Sequence, residues 1–339
     1  MAFSKTLLVL AAAASALCAC SPAMAQDTSK DWTLPRDAHE AAYPPWQNGR
    51  NNDASPRGFT FTVPEVDNLP DLHGSPQFAR LVIYVGGNYY FAMAQLVERF
   101  EKLHPEFKGK LYWETLPPGL LVHQMRAGGR ITVGNMTWVA PPDVYLAGAK
   151  RVQATIDEGL ALPPMVKYAT NTLTIMVPRG NPAGVKSLGD LGADGIKLVM
   201  PNPEFEGVAR QIQASLEKAG GQALVDKVYK TKVEAGTTRL TQIHHRQSPL
   251  LLMTGRAEAG VTWKSEAIFQ EEIGNPIEDV DIPADQNATG IYAGAVVKGA
   301  AHPKAAKMWL DFLKSDAGQQ VFHHFGFKSW SEDQTNALP

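Results

Sequence analysis

The residues best suited to chemistry in this chain are those that can hold an anion, and the densest group of them is His244-His245-Arg246. An arginine fork holds a carboxylate or an oxyanion through two hydrogen bonds. The same residues also fit a surface turn in which Arg246 pairs with an acid. Adjacent histidines in a strand point to opposite faces, so they would not bind one metal ion together. From spacing alone, an anion site and a surface ion pair remain equally good hypotheses.

Three turns precede predicted helices and offer backbone N–H groups to a ligand: 86–89 (Gly-Gly-Asn-Tyr), 117–120 (Pro-Pro-Gly-Leu) and 203–207 (Pro-Glu-Phe-Glu-Gly). A helix start favours a negative charge by about 0.3–1 kcal/mol. The two carboxylates of the third turn would oppose an anion there. Trp263 ends a predicted strand, where its ring either walls a binding cleft or packs in the core. Together these patterns predict the following ligand-binding residues: Gly87, Asn88, Tyr89, Pro118, Gly119, Glu206, Gly207, His244, His245, Arg246 and Trp263.

The sequence contains none of the common catalytic motifs, such as G-x-S-x-G, a Walker loop, H-E-x-x-H or G-x-G-x-x-G. We therefore expect a binding protein with no catalytic residue, no cofactor and no resident metal. Lys plus Arg number 32 and Asp plus Glu number 34, giving a net charge of -2. This balance gives no general reason to bind nucleic acid or an anionic membrane. We expect a monomer.

The N-terminus has the pattern of a secretory signal peptide over residues 1–25. Lys5 precedes the apolar run 7–17, and Ala23-Met24-Ala25 supplies small residues before the cleavage point. Cleavage there would remove both cysteines and leave a periplasmic protein. An alternative is that residues 17–20 (Leu-Cys-Ala-Cys) form a lipoprotein box with a lipid on Cys20.

The elements that must position the site begin after an extended arm, which we predict for residues 26–76 because they are rich in Pro, Asn, Asp and Gly. Only 59–63 alternates like a strand there. The apolar run 80–85 predicts a buried strand, and apolar residues at three- and four-residue steps predict a helix over 91–103. Further strands are predicted at 173–177, 196–200, 259–263 and 291–297, and further helices at 121–125, 205–219, 302–313 and 316–325. This alternation predicts an α/β fold with a mainly parallel sheet and helices on both faces.

Several stretches resemble, in order, the type II periplasmic substrate-binding proteins of ABC importers, especially the molybdate- and sulfate-binding-like branch. They are 96–105 (LVERFEKLHP), 142–145 (PDVY), 171–182 (NTLTIMVPRGNP), 186–191 (KSLGDL), 255–263 (GRAEAGVTW) and 302–327 (HPKAAKMWLDFLKSDAGQQVFHHFGF). The resemblance covers about residues 78–327. It implies two Rossmann-like lobes that are joined by two crossover strands and close over a small anion, which an ABC importer permease then receives.

On that resemblance, the first crossover strand lies near 170–174, and the second, which returns the chain to the first lobe, lies near 282–289. Lobe one is then 77–171 plus 285–339, and lobe two is 172–284.

The chain also departs from the molybdate-binding pattern. Where that group uses serine hydroxyls at two helix starts, this sequence has Gly87-Asn88 and Pro117-Pro118-Gly119, and Trp263 replaces a tyrosine. An extra segment occupies 130–140.

Two hypotheses of different classes follow. In the first, the protein is a receptor for a small anion, with a molybdate- or tungstate-like oxyanion favoured. In the second, it is a metal-ion or metal-chelate binding or sensing protein, with Tyr89, Glu206, His244 and Glu266 as ligands. An enzyme on the same scaffold is a third hypothesis.

Overall fold

The computed structural model describes residues 71–133, 136–204, 206–241 and 246–331. The predicted signal peptide, the strand at 59–63, Cys20, His244 and His245 lie outside the described residues. Of the predicted arm, residues 71–76 are described, and Asp71–His73 within them form a strand. No helix in the described ranges combines the length and the apolarity that crossing a membrane would need.

The strands, numbered in chain order, are β1 (Asp71–His73), β2 (Leu81–Gly86), β3 (Leu111–Leu116), β4 (Arg130–Val133), β5 (Met136–Val139), β6 (Val144–Gly148), β7 (Val166–Pro178), β8 (Leu198–Met200), β9 (Thr238–Leu240), β10 (Ala259–Trp263), β11 (Ile277–Asp281), β12 (Thr289–Val296) and β13 (Lys328–Ser329).

The helices are α1 (Tyr90–Leu103), α2 (Pro118–Arg126), α3 (Ala149–Asp157), α4 (Gly207–Asp226), α5 (Lys232–Glu234), α6 (Gln247–Met253), α7 (Lys264–Glu272), α8 (Pro303–Lys314) and α9 (Asp316–His324).

The main sheet has the strand order β1-β3-β2-β6-β12-β7-β10-β8-β9, with β11 and β13 also paired to β7. The predicted α/β class is confirmed. The prediction of a mainly parallel sheet is wrong, because the two long strands β7 and β12 pair antiparallel with their neighbours. Parallel pairing is confined to β3-β2-β6 in the first half and β10-β8-β9 in the second.

The long strand β7 belongs to both halves of the sheet. Its first part pairs with β12, and its second part pairs with β10 and β11. From these pairings, β2 runs in the same sense as β7 whereas β10 and β8 run in the opposite sense. The carboxyl ends of both parallel sets therefore face each other across the middle of β7. We call this region the junction.

Helices cover both faces of each half. In the first half, α1, α8 and α9 enclose one apolar core, and α2, α3 and the β4–β5 hairpin cover the opposite face. In the second half, α4 covers one face, and α6 and α7 cover the other.

The helix predicted over 205–219 ends at a break at Gly220-Gly221, and a second helical segment then continues to Asp226. Gly220 and Gly221 are both non-helical, and Gly221 has φ +68°, which glycine adopts without a Cβ clash.

Candidate functional site

Among the described residues, six helices begin at the junction, each following a strand of one of the two parallel sets. They are α1 after β2, α2 after β3, α3 after β6, α4 after β8, α6 after β9 and α7 after β10, and none receives a side-chain cap from its described N-cap residue. By contrast, Ser315 caps α9 elsewhere in the fold by accepting from Gly318 N–H. The first N–H groups of a helix have no partner within the helix. The junction is therefore a place where backbone donors and helix dipoles favour an anion.

The start of α2 offers its backbone to the junction. Pro118 occupies the first helical position, a role its fixed φ suits, and its ring packs against the chain at Gly86. Gly119 is half-buried, and no atom lies within 4 Å of where its Cβ would be. The predicted residues Pro118 and Gly119 thus lie at an open helix start.

Gly87, Asn88 and Tyr89 form a short 3-10 turn before α1, and the side chains of Asn88 and Tyr89 point in different directions. Asn88 is partly exposed and donates through Nδ2 to the hydroxyl of Tyr292 on β12.

Tyr89 is fully buried, and its hydroxyl is hydrogen-bonded to that of Tyr168. Its ring packs edge-to-face against Tyr292, Phe322 and Phe327. This position gives Tyr89 a packing role in the core.

Arg246 lies at the junction from the second half of the sheet. It is 1% exposed, and its guanidinium carbon is 4.4 Å from the centroid of the Tyr90 ring at the start of α1. A cation held over an aromatic face in a desolvated place is attracted by the ring quadrupole. Arg246 thereby connects the loop after β9 to the helix start after β2.

Glu206 and Gly207 lie where α4 begins. Gly207 is exposed, whereas Glu206 is buried and accepts from the hydroxyl of Thr241 and from Asn202 N–H at 3.3 Å. The Glu206 carboxylate therefore connects the carboxyl ends of β8 and β9.

Trp263 is buried at the end of β10 and packs against the crossover strand β12. Its ring lies edge-to-face to Tyr292 with centroids 6.0 Å apart, and a Cβ at Gly290 would overlap it. Trp263 thus forms the apolar floor of the junction.

A polar chain, of which the sequence analysis predicted Asn88 alone, crosses this part of the junction. Asn88 donates to Tyr292, Asn171 also hydrogen-bonds Tyr292, and Asn171 Nδ2 donates to Ser265 Oγ at 2.7 Å. Burial raises the pKa of Tyr292 well above its ordinary value, so the hydroxyl stays neutral. The chain connects the helix starts of α1 and α7 through both crossover strands.

Asp71 was also missed, because it falls in the predicted arm. The residue is 8% exposed, and its carboxylate accepts from Thr115 Oγ1 at 2.9 Å, at the end of β3. No local pattern in the sequence reveals a three-residue strand that pairs more than forty positions away.

The residues named for the metal hypothesis are not assembled into a site within the described ranges. Tyr89 is engaged in the core, and Glu266 is buried at the start of α7, where it accepts from Thr262 Oγ1 at 2.7 Å. Across the residues that the structure describes, no three His, Cys, Asp or Glu side chains cluster so as to hold a metal ion. His244 lies outside them.

Comparison with known proteins places this architecture in context. The profile of the family "Bacterial extracellular solute-binding protein" matches residues 81–328. The molybdate-binding protein ModA of Mycobacterium tuberculosis H37Rv is 26% identical over 255 residues, covering 75% of this chain and 87% of that protein. The putative ABC transporter substrate-binding lipoprotein YvgL of Bacillus subtilis is 27% identical over 190 residues, covering 56% of this chain and 68% of that protein.

Among solved structures, the periplasmic molybdate-binding protein of Azotobacter vinelandii superposes with a TM-score of 0.60 at 17% identity. The match covers 74% of this chain and all of that one, 100%. At this identity the match concerns the fold. Asp71 lies outside the range that the family profile matches.

Proposed function

Since the chain belongs to the family of bacterial extracellular solute-binding proteins, we propose that it binds a small anion at the junction and delivers it to the permease of an ABC importer. The resemblance to type II periplasmic solute-binding proteins of the molybdate- and sulfate-binding-like branch is confirmed. The relatives' names, molybdate-binding protein and ABC transporter substrate-binding lipoprotein, support an anion as the ligand and an importer as the partner.

The observation that carries the proposal is the buried guanidinium of Arg246, held over Tyr90 at the start of α1. The fork of N–H donors on a guanidinium suits an anionic group. The helices that begin at the junction offer uncapped backbone N–H donors to the same region. A small anion at the junction would be held by both halves of the sheet at once.

Binding of this kind couples to closure of two lobes, for which 77–171 plus 285–339 and 172–284 remain our proposed boundaries. A ligand that contacts both lobes stabilises the closed state by the difference in its affinity for the two states. The crossover strands β7 and β12 supply the connections, and Asn171, Tyr292 and Gly290 lie on them.

Among anions, the family resemblance favours molybdate and tungstate. Gly87, Asn88, Gly119 and Gly207 would supply mostly backbone N–H groups, whereas Pro118, which has no N–H, would contact the ligand through its ring. For this reason the ligand panel must extend beyond those two ions.

The test is a thermal-shift panel on the mature chain after refolding has removed any carried-over ligand. It includes molybdate, tungstate, sulfate, phosphate, small carboxylates and several divalent metals. A ligand at one hundred times its dissociation constant adds roughly 2.7 kcal/mol to the free energy of unfolding. A shift with one or more anions supports the proposal. A shift with metals alone would replace it with the metal hypothesis.

The variant Arg246→Ala locates the site. We expect ligand affinity to fall by about 2–5 kcal/mol, because truncation leaves the anion without its charged partner. Arg256→Ala, at an exposed arginine of the same half, is the matched control and should bind like the wild type. Isothermal titration calorimetry measures both, and an unchanged affinity in Arg246→Ala would reject the proposed role.

Export is part of the proposal, as a periplasmic protein after cleavage at Ala25 or as a protein tethered through a lipid on Cys20. Mass spectrometry of the N-terminus of protein from cells distinguishes these two forms. We propose no catalytic residue.

A further inference from the structure

Strand β1 brings an acid to the proposed anion site. Asp71 lies opposite Thr115 in the β1–β3 pairing, and Thr115 Oγ1 donates to Asp71 Oδ2 at 2.9 Å. On its other side, His73 Nε2 lies 2.6 Å from Oδ1, and the His73 ring stacks on Trp113. These contacts fix the carboxylate at the end of β3, just before α2 begins.

Asp71 is ionised at neutral pH although it is buried. Burial raises the pKa of this carboxyl, but His73, the Thr115 hydroxyl and the positive charge of Arg246 together bring it below its ordinary value. Asp71 and Arg246 therefore act on each other across the junction, one from each half of the sheet.

A carboxylate accepts hydrogen bonds and donates none, so a ligand group that faces it must carry a hydrogen. Fully ionised sulfate and molybdate present acceptor oxygens alone, and their charge is repelled by the carboxylate. The carboxylates of Glu206 and Glu266 are also buried beside helix starts of the second half. The ionised Asp71 at the junction thus disfavours a bare dianion and favours an anion that donates.

We infer that Asp71 determines specificity by accepting a hydrogen bond from the ligand, so the receptor takes small anions that carry their own O–H beside the charge, such as hydrogen phosphate or a hydroxycarboxylate, in preference to fully ionised tetrahedral oxyanions. The Arg246 guanidinium donates hydrogen bonds to the anionic oxygens of the ligand, and the Asp71 carboxylate accepts one from the O–H group of the ligand. This inference rests on the proposed function and narrows its ligand class.

The test compares inorganic phosphate with sulfate, two tetrahedral anions of similar size. Near neutral pH phosphate carries at least one proton and sulfate carries none. We expect the wild type to prefer phosphate by at least tenfold in calorimetry. In Asp71→Asn, whose carboxamide donates N–H and bears no charge, that preference should shrink by at least tenfold as sulfate binding improves. Asp157→Asn, at an exposed acid of α3, removes the same charge elsewhere and should keep the wild-type preference.

A second variant keeps the test decisive if Asp71→Asn fails to fold. Asp71→Glu restores a carboxylate at this position, so it should retain more of the preference for phosphate than Asp71→Asn does. If the wild type prefers sulfate or molybdate, or if folded Asp71→Asn keeps the preference for phosphate, the role of Asp71 is overturned while the anion receptor stands. If no anion binds the folded wild type, the proposed function fails and this inference fails with it.

Discussion

Two buried carboxyl groups sit at neighbouring positions of the β1–β3 pair, and their surroundings drive them to opposite charge states. Asp71 lies opposite Thr115 at the junction, whereas Glu114 is the residue before Thr115 on β3 and faces the core beneath α2. The pKa of Asp71 is lowered, and that of Glu114 is raised to about 8. Side chains alternate between the faces of a strand, so one step along β3 changes the environment completely.

The cause of the difference lies in the partners of each group. Glu114 is fully buried, and this burial outweighs the opposing effects of Tyr112 and Gln124. The Tyr112 hydroxyl donates to Glu114 Oε2 at 2.8 Å, but Oε1 and the nearby Gln124 Oε1 have no hydrogen-bond partner among the described residues. A proton on Glu114 supplies a donor in this place. Asp71, by contrast, has His73, Thr115 and Arg246 to stabilise its charge.

The comparison shows that the fold keeps Asp71 ionised at the junction and Glu114 neutral in the packed interior up to about pH 8. Burial alone therefore does not identify a binding residue. The distinguishing feature is a partner that crosses between the two halves, as Arg246 does for Asp71.

We expect the largest effect on stability from Glu114→Gln, which removes the carboxyl group that stays neutral in the folded protein. In the wild type, the unfolded chain releases the Glu114 proton near its ordinary pKa, while the folded chain keeps it up to about pH 8. The stabilising contribution of the protonated group is complete below the unfolded pKa and is lost as pH rises through the folded one. At about 1.4 kcal/mol per pKa unit, the loss reaches at most about 5 kcal/mol. Glu114→Gln should remove this loss, so its advantage over the wild type grows with pH.

Urea denaturation at several pH values between 5 and 8.5 measures the effect. Glu217→Gln, at an exposed glutamate of α4, should follow the wild-type profile. Parallel profiles for the wild type and Glu114→Gln would show that Glu114 does not titrate in this window.

We expect the stability contributed by Asp71 to depend on pH in the opposite direction. Its folded pKa is depressed, so its stabilising contribution is present above the unfolded pKa and is lost as pH falls through the folded one. Asp71→Asn should cost about 1–3 kcal/mol at neutral pH, because it removes the charged member of hydrogen bonds to His73 and Thr115. The wild type should lose this advantage below about pH 4. Acid denaturation curves that stay equally far apart at pH 2 and pH 7 would contradict this.

Much of the fold could be predicted from sequence because its signals are local. The buried run of β2, the apolar spacing of α1 and the Pro117-Pro118 start of α2 each follow from residue types within one element. The antiparallel pairing of β7 and β12 could not be predicted in this way, since it depends on contacts more than a hundred residues apart.

In the candidate site, too, the residues with a local signal could be predicted and their distant partners could not. Arg246 and Asn88 could be singled out because an arginine in a cationic cluster and a polar residue after two glycines are visible locally. The partner of Asn88 could not, because Tyr292 lies 204 positions away. Residue type also could not reveal that Tyr89 turns inward to Tyr168 while Asn88, beside it, turns toward the crossover strand.

Tyr112→Phe, which alters the surroundings of Glu114, should have a smaller effect on stability. The Tyr112 hydroxyl donates to Glu114 and accepts from Trp138 Nε1 at 3.0 Å on the β4–β5 hairpin. Its removal should cost about 1–2 kcal/mol and should move the Glu114 transition to higher pH, because the carboxylate loses a donor. Denaturation at pH 6 and pH 8.5 measures both effects. Tyr112→Phe combined with Glu114→Gln should show no pH shift, and a shift that persists there would assign it to another group.

The smallest expected effect, and the sharpest test of the Asp71 side, is Thr115→Val. The substitution keeps the size of a fully buried side chain but removes the hydroxyl that donates to Asp71 Oδ2. We expect a loss of about 1 kcal/mol in the free energy of unfolding and a higher pKa for Asp71, because one of the groups that stabilise its charge is gone. Carbon-detected NMR titration of the Asp71 carboxyl measures the pKa directly. Thr254→Val, at an exposed threonine of the second half, should leave that titration unchanged. If Thr115→Val also leaves it unchanged, His73 and Arg246 alone hold the carboxylate ionised, and the contrast with Glu114 comes from charge across the junction and not from the β1–β3 pairing.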